Sequence, residues 1–431
     1  MNALIQKMPN WIAKPFADRS RWWIFAVFFV LVFFLFTHQR QDSTCTHNIT
    51  VYNAIELQLN CDTNSINNYA HDPVKLVTEF HNWKGRPVYL AYGLIVGHAL
   101  MPVAQPVWRL LIKPWVKMKA YFNNFSRNFH IHLGYVLLNI LVVFFCARSG
   151  LRLSKVPITN VSAIALAAAI ASLDLVQGGV FMFHTNLFNM VAAVGAAIYV
   201  SMGMSAHFQT SRQVSLLGGL VGMGILTYPS IVILAPAYLV GNVYGRLRWP
   251  TTSASWGTLA SRYALFALSA AVLPLLWYVL ISQVFETQVY LTAKYGQFVW
   301  ILEAFNNGDL LNSLSIHLGS FLGALMSTLD TEGCLVAGAL LGLAAMGGKK
   351  FWALLTTPLV FCLFIAALGV LSFNFFQGFY APRLHISVLI LAYILIAHMA
   401  YALRLHKTGA LLLSAIVAYQ LMDAALHTAS S

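Results

Sequence analysis

The run Trp22-Trp23-Ile24-Phe25-Ala26-Val27-Phe28-Phe29-Val30-Leu31-Val32-Phe33-Phe34-Leu35-Phe36 carries no charged side chain. An apolar stretch of this kind crosses a bilayer as a helix, since lipid offers backbone N–H and C=O groups no partner and they must pair within the segment. A basic stretch with Lys7, Lys14, Arg19 and Arg21 precedes it, and Thr37-His38-Gln39-Arg40-Gln41 follows in place of a small-residue cleavage site. The pattern predicts an uncleaved signal anchor with its N-terminus in the cytoplasm.

Similar runs recur along the chain, at residues 129–147, 159–176, 179–201, 214–240, 259–284, 334–347, 351–372, 384–405 and 409–426, with 87–112 a further candidate. The predicted fold is an all-α integral membrane protein with about 10–11 transmembrane helices, each long enough for a hydrocarbon core about 30 Å thick. Composition agrees: of 431 residues, 59% are hydrophobic and 9% charged. A soluble domain carries about 25% charged residues, so the largest surface of this chain must face lipid.

The formal charge of +13 would raise the question of nucleic acid in a soluble protein. Here the basic residues sit in short connectors: Arg148, Arg152 and Lys155; Arg246 and Arg248; Lys349 and Lys350; Arg404 and Lys407. That is the pattern of cytoplasmic retention. Without a basic stripe interleaved with exposed aromatics, nucleic acid is not an expected partner.

Sidedness divides the chain into a cytoplasmic tail and first span (1–37), an external loop (38–86), and a polytopic domain (87–431) with a second external region at 285–333. Asp42, Glu56, Asp62, Asp72 and Glu79 fall in the first external stretch, and Glu286, Glu303, Asp309, Asp330 and Glu332 in the second. One conflict stands. If 87–112 crosses, Lys113, Lys117, Lys119 and Arg127 lie inside and Arg148, Arg152 and Lys155 outside. If it is re-entrant or lies on the surface, both are reversed, and 214–240, broken at Tyr228-Pro229, becomes two short spans. The second arrangement is favoured.

Cys45 and Cys61 lie in the loop, where an oxidising exterior would permit a disulfide. Cys146, Cys334 and Cys362 are isolated in or beside apolar runs and read as small hydrophobes. Gly93/Gly97, Gly218/Gly222 and Gly338/Gly342 have the spacing that lets membrane helices approach closely. No zinc, P-loop or dinucleotide motif occurs, so no metal or cofactor is expected.

The end of the loop, Tyr69-Ala70-His71-Asp72-Pro73-Val74-Lys75-Leu76-Val77-Thr78-Glu79-Phe80-His81-Asn82-Trp83, reads as Asp72 capping a short helix opened by Pro73. Leu76, Val77, Phe80 and Trp83 share a face that suits the membrane interface. Asp72 serves equally as a cap or as a catalytic base. Lys84-Gly85-Arg86-Pro87-Val88-Tyr89 then delivers an Arg and a Tyr to the head of an apolar run. A guanidinium there suits a phosphate through bidentate charged hydrogen bonds, and an interfacial anchor explains it as well.

A first span, a long external loop with a carboxylate, a short amphipathic helix and Gly85-Arg86-Pro87-Val88-Tyr89 together resemble the GT-C superfamily of polytopic membrane glycosyltransferases. The resemblance covers mainly residues 22–110. It implies a polyprenyl-phosphate-linked sugar donor, an acidic residue of the first external loop as base, here Asp72 or Asp42, and transfer on the outer face of a membrane, and the expected location is the bacterial inner (cell) membrane. Asp42 stands about five residues past the first apolar run, farther than the family pattern places its acid.

Two later stretches add candidates for donor-phosphate or substrate contact. Phe375-Phe376-Gln377-Gly378-Phe379-Tyr380-Ala381-Pro382-Arg383-Leu384-His385 is an aromatic turn that brings Arg383 and His385 to the head of a span, and Lys294 lies in the second external region. Asp174, ten residues before His184, is an ionisable group at membrane depth. A transporter or flippase, and a non-catalytic partner in glycan assembly, remain the competing functions.

Overall fold

The computed structural model describes residues 30–31, 47–51, 55–59, 74–75, 86–113, 116–117, 122–158, 160–180, 185–205, 209–249, 255–284, 298–378, 380 and 382–430. In chain order the elements are β1 (His47–Val51), β2 (Ile55–Leu59), α1 (Pro87–Val107), β3 (Val116–Lys117), α2 (Phe122–Ser154), α3 (Val161–Ala171), α4 (Asp174–Gly179), α5 (Phe188–Met204), α6 (Ser211–Ile225), α7 (Leu234–Arg248), α8 (Trp256–Val279), α9 (Val299–Asn306), α10 (Leu310–Gly347), α11 (Lys349–Leu355), α12 (Pro358–Gln377), α13 (Pro382–His385), α14 (Ser387–Ala402) and α15 (His406–Ser430).

Among the described residues, seven helical segments are long and apolar enough to cross a membrane, and three shorter apolar helices join them. The chain is therefore a multi-pass helical membrane protein. It also carries a small antiparallel sheet in the order β2-β1-β3, an element that the all-α expectation did not contain. Of the amphipathic helix expected after Asp72, only Val74 and Lys75 are described.

Local chemistry sets many of the helix ends. Asn160 caps α3 by accepting from the Ser162 amide at 3.0 Å. Thr210 and Gln213 form a reciprocal capping box on α6, and Ser255 accepts from the Thr258 amide at the head of α8. Each satisfies backbone N–H groups that the first turn leaves without a partner. Proline opens α1 and α12, where its missing N–H costs nothing.

The core runs through α2, α3, α5, α12 and α14, where α5 and α14 are almost entirely buried. Close glycine contacts reveal relative helix directions. Gly241 on α7 meets Val200, and Gly245 meets Met204, so α5 and α7 run parallel. Gly218 on α6 meets Phe266 and Gly222 meets Ala270, so α6 and α8 run parallel as well. Gly338 and Gly342, by contrast, face nothing within 4 Å.

These pairings define two ends of the bundle. Gly150 packs on Ile394, the Ser154 carbonyl meets His398 Nδ1 at 3.1 Å, and Gly347 packs on Leu403, which gathers the ends of α2, α10 and α14. Tyr244 stacks on Phe361 at 4.0 Å, which brings the end of α7 and the start of α12 to that same side. Arg148, Arg152, Lys155, Arg246, Arg248, Lys349, Lys350, Arg404 and Lys407 all belong to these segments. We refer to this as the basic face. Arg86, Thr185, Tyr228 and the 378–386 turn occupy the opposite end.

The segment 87–112 leads into β3. Thr50 pairs with Lys117 and Val51 with Val116. Pro87–Leu110 is long and apolar enough to cross a membrane, and it packs with the first part of α2 as an antiparallel hairpin, in which Gly97 approaches Ile131 and Gly93 approaches Tyr135. The stretch 214–240 is two helices, α6 and α7, separated by the turn at Pro229–Ile233.

The second polar region is also shorter than the sequence predicts. Helix α10 runs unbroken from Leu310 to Gly347, 38 residues, so residues 310–333 are helix rather than loop.

Candidate functional site

Arg86 precedes Pro87, whose ring fixes the first turn of α1. The Val88 amide donates to the Leu226 carbonyl at 3.3 Å, tying this start to the turn after α6. Arg86 Nη1 donates to Thr185 Oγ1 at 2.5 Å, and the guanidinium carbon stands 5.1 Å from the centre of the Tyr228 ring. Asn189 Nδ2 in turn donates to the Tyr228 hydroxyl at 3.2 Å. Residues at the head of α1, before α5 and before Pro229 therefore meet around one cation. The aromatic face stabilises the charge.

Tyr89 is placed otherwise. It is fully buried, with its ring 4.7 Å from Tyr135 and 6.2 Å from Phe188, so it supports the Arg86 segment by packing. Nearby, buried Asn139 donates to the carbonyls of Gly179 at 3.2 Å and Val180 at 3.0 Å, holding the end of α4 against α2.

The 378–386 turn forms a second cluster on the same side. Gly378 has a φ of 72°, and a Cβ there would stand 2.7 Å from the Trp300 ring, so glycine is required for both conformation and space. Trp300 Nε1 donates to the Phe376 carbonyl at 3.1 Å. The Tyr380 hydroxyl donates to the Phe375 carbonyl at 3.1 Å and lies 2.9 Å from His317 Nδ1. Burial pushes the Tyr380 phenol up to about 12.

His385 is fully buried against Phe321, with ring centres 5.1 Å apart. Asn374 Nδ2 donates to the Leu384 carbonyl at 3.0 Å and to His385 Nδ1 at 3.5 Å. Burial lowers the His385 pKa to about 4, so the ring is neutral at pH 7. Asp42, Asp72 and Lys294 lie outside the described residues, as does the side chain of Arg383. Of the residues proposed from sequence, the structure thus describes Arg86 and Tyr89 around one set of turns and His385 in another.

A third polar group lies inside the bundle. Glu332, expected from sequence in an external region, is instead buried in α10. Tyr393 donates its hydroxyl to Glu332 Oε1, and Gln420 Nε2 donates to the same oxygen at 2.5 Å. Ser172 Oγ donates to Gln420 Oε1 at 2.5 Å, and Gln177 Nε2 donates to the Ser172 carbonyl at 2.7 Å. Asp174 and Asp423 are near enough for their charges to act on Glu332. His184, the sequence partner suggested for Asp174, lies outside the described residues.

Thr185, Tyr228, His317 and Glu332 were not singled out as site residues from sequence. Tyr228-Pro229 registered only as a break in an apolar run, and the others meet their partners through folding. Among the described residues, no group of three or more His, Cys, Asp or Glu side chains is arranged to hold a metal ion.

Compared with protein-family models, curated proteins and solved structures, the chain matches none. Its class rests on its own architecture: a multi-pass α-helical membrane protein with a clustered polar end opposite its basic face.

Proposed function

We propose that this protein is a membrane glycosyltransferase that moves a sugar from a polyprenyl-phosphate-linked donor to an acceptor on the outer, periplasmic or lumenal, face. The observation that carries the reading is the seating of Arg86 by Thr185 and Tyr228 at the head of α1. A guanidinium held there can balance the growing charge on a departing phosphate. The basic face is cytoplasmic by the positive-inside rule, which places Arg86 externally and the N-terminus inside, in a bacterial inner or comparable cell membrane.

The reaction is displacement at the anomeric carbon. Asp72 or Asp42 is the loop base suggested by the family resemblance, and Arg383 and Lys294 are further candidates for phosphate contact. Tyr89 and His385 support the two turns from beneath. The test is sugar transfer in membranes containing Arg86→Lys, or Asp72→Asn and Asp42→Asn singly and together. Loss in Arg86→Lys of at least about tenfold supports the reading, since lysine lacks the bidentate fork; wild-type transfer by Arg86→Lys and by the double Asp variant would sink it.

A transporter is the second reading, favoured by Glu332 and its polar partners inside the bundle, because ionisable groups at membrane depth mark solute or proton pathways. Solute flux in proteoliposomes without any glycosyl transfer would select it.

A further inference from the structure

His317 is a titratable side chain on α10 that the resemblance to glycosyltransferases does not assign. It is half-buried beside the 378–386 turn. Its ring stacks on Trp300, with centres 3.9 Å apart, which fixes the imidazole plane. Its Nδ1 lies 2.9 Å from the Tyr380 oxygen. A phenol has one proton to donate, and Tyr380 gives it to the Phe375 carbonyl at 3.1 Å. Both contacts are hydrogen bonds at once only where the phenolic oxygen accepts from Nδ1–H. The neutral ring then has its lone pair on Nε2. Carbonyl, phenol and imidazole form a relay that selects one tautomer and holds it, the orienting role that a third group plays behind a general base.

We propose that His317, in place of the loop acid that the resemblance suggests, is the general base at this face, its Nε2 accepting the proton of an acceptor hydroxyl during sugar transfer. The assignment rests on the transferase reading and names the acceptor chemistry, a sugar or other alcohol. The acceptor oxygen bonds to the anomeric carbon as its proton passes to Nε2. The bond from that carbon to the phosphate oxygen breaks, its electron pair leaving with the lipid phosphate. The imidazolium afterwards returns its proton to water. Tyr380 is a positioning residue. Other titratable or charged groups on the elements packed here are Glu303 on α9, Asp309 at the start of α10 and Asp330, Glu332 and Cys334 farther along it, and Arg383 and His385 on α13; α12 contributes none beyond Cys362.

Two measurements on the full chain test the proposal. In lipid nanodiscs, nitrogen NMR of histidine-labelled protein, assigned by loss of signals in His317→Gln, is expected to show a protonated Nδ1 and a bare Nε2. Tyr380→Phe is expected to convert the ring to a tautomer mixture. In membranes given farnesyl-phosphate-linked hexoses, His317→Gln is expected to lower kcat by about 10²–10⁴-fold with little change in donor KM. Tyr380→Phe should lower it less and displace the acid limb of the pH profile. A bare Nδ1 with a protonated Nε2 in the wild type overturns the proposal. Undiminished transfer by a folded His317→Gln, with active wild type, overturns the base role alone. Absence of transfer by the wild type overturns the transferase reading and the base role with it.

Discussion

Val51 pairs with Val116 across an antiparallel ladder, and this brings the strand after α1 against β1, which precedes Arg86 in the chain. In a cysteine-free background, Lys113→Cys is expected to react with a membrane-impermeant maleimide from the same side as Asp42→Cys. Arg152→Cys is expected to react only from the other side. Labelling of Arg152→Cys from the same side as Asp42→Cys, with Lys113→Cys reached only from the other side, would show that α1 crosses.

The register between β1 and β2 bears on two cysteines that lie outside the described residues. His47 faces Leu59, and the pairs continue to Val51 and Ile55. The described register ends two positions short of each of them, at the His47–Leu59 pair. Protein isolated from an oxidising compartment is expected to yield a Cys45–Cys61 disulfide-linked peptide on non-reducing digestion and mass spectrometry, a bond worth about 3 kcal/mol by loop entropy. Two free thiols there would refute the pairing.

Glycine positions with the same sequence spacing are expected to differ in tolerance. A Cβ on Gly97 would lie 2.7 Å from the Ile131 Cα, whereas one on Gly338 meets nothing within 4 Å. Gly97→Leu is expected to destabilise by about 1–3 kcal/mol through forced separation of backbones. Gly338→Leu should leave the midpoint of thermal unfolding in detergent nearly unchanged. Equal losses would contradict the hairpin packing.

Glu332 joins α10 to α14 and α15 through Tyr393 and Gln420. Glu332→Gln retains a side-chain carbonyl oxygen as acceptor and is expected to unfold near the wild-type temperature. Glu332→Ala strands two buried donors, at a cost of about 1–3 kcal/mol each. A Glu332→Ala protein as stable as Glu332→Gln would show that the network contributes nothing.

His385 is expected to make stability depend on pH. Burial holds its folded pKa near 4, below the value of about 6.5 for an unfolded histidine. Between these values the unfolded chain binds more protons, so this contribution is complete above the upper value and is lost as pH falls through the window, by up to about 1.4 kcal/mol per pH unit. Thermal unfolding of His385→Gln against pH, compared with wild type, should show a shallower decline on the acid side. Parallel curves would rule this out.

Much of the fold is legible from single residues. The apolar runs and basic connectors announce a multi-pass protein, and Tyr228-Pro229 marks a real break. Arg86 is visible as a cation before a proline. Its setting is not, because Thr185 and Tyr228 reach it only through the tertiary fold. His317 and Glu332 were obscured for a related reason: α10 looks like a polar region followed by a span, and a helix with a buried face and sparse polar residues has no local mark that separates it from a loop edge.

Composition and hydropathy by themselves determined that this chain belongs in lipid and which segments carry its basic excess, since the cost of unpaired backbone and of charge in hydrocarbon acts on every residue locally. What 87–112 packs against was decided only by tertiary structure. An apolar helix satisfies its own hydrogen bonds equally well against lipid or against a neighbour, and its packing is set by a ladder between Val51 and Val116 and by the glycine contacts of Gly93 and Gly97.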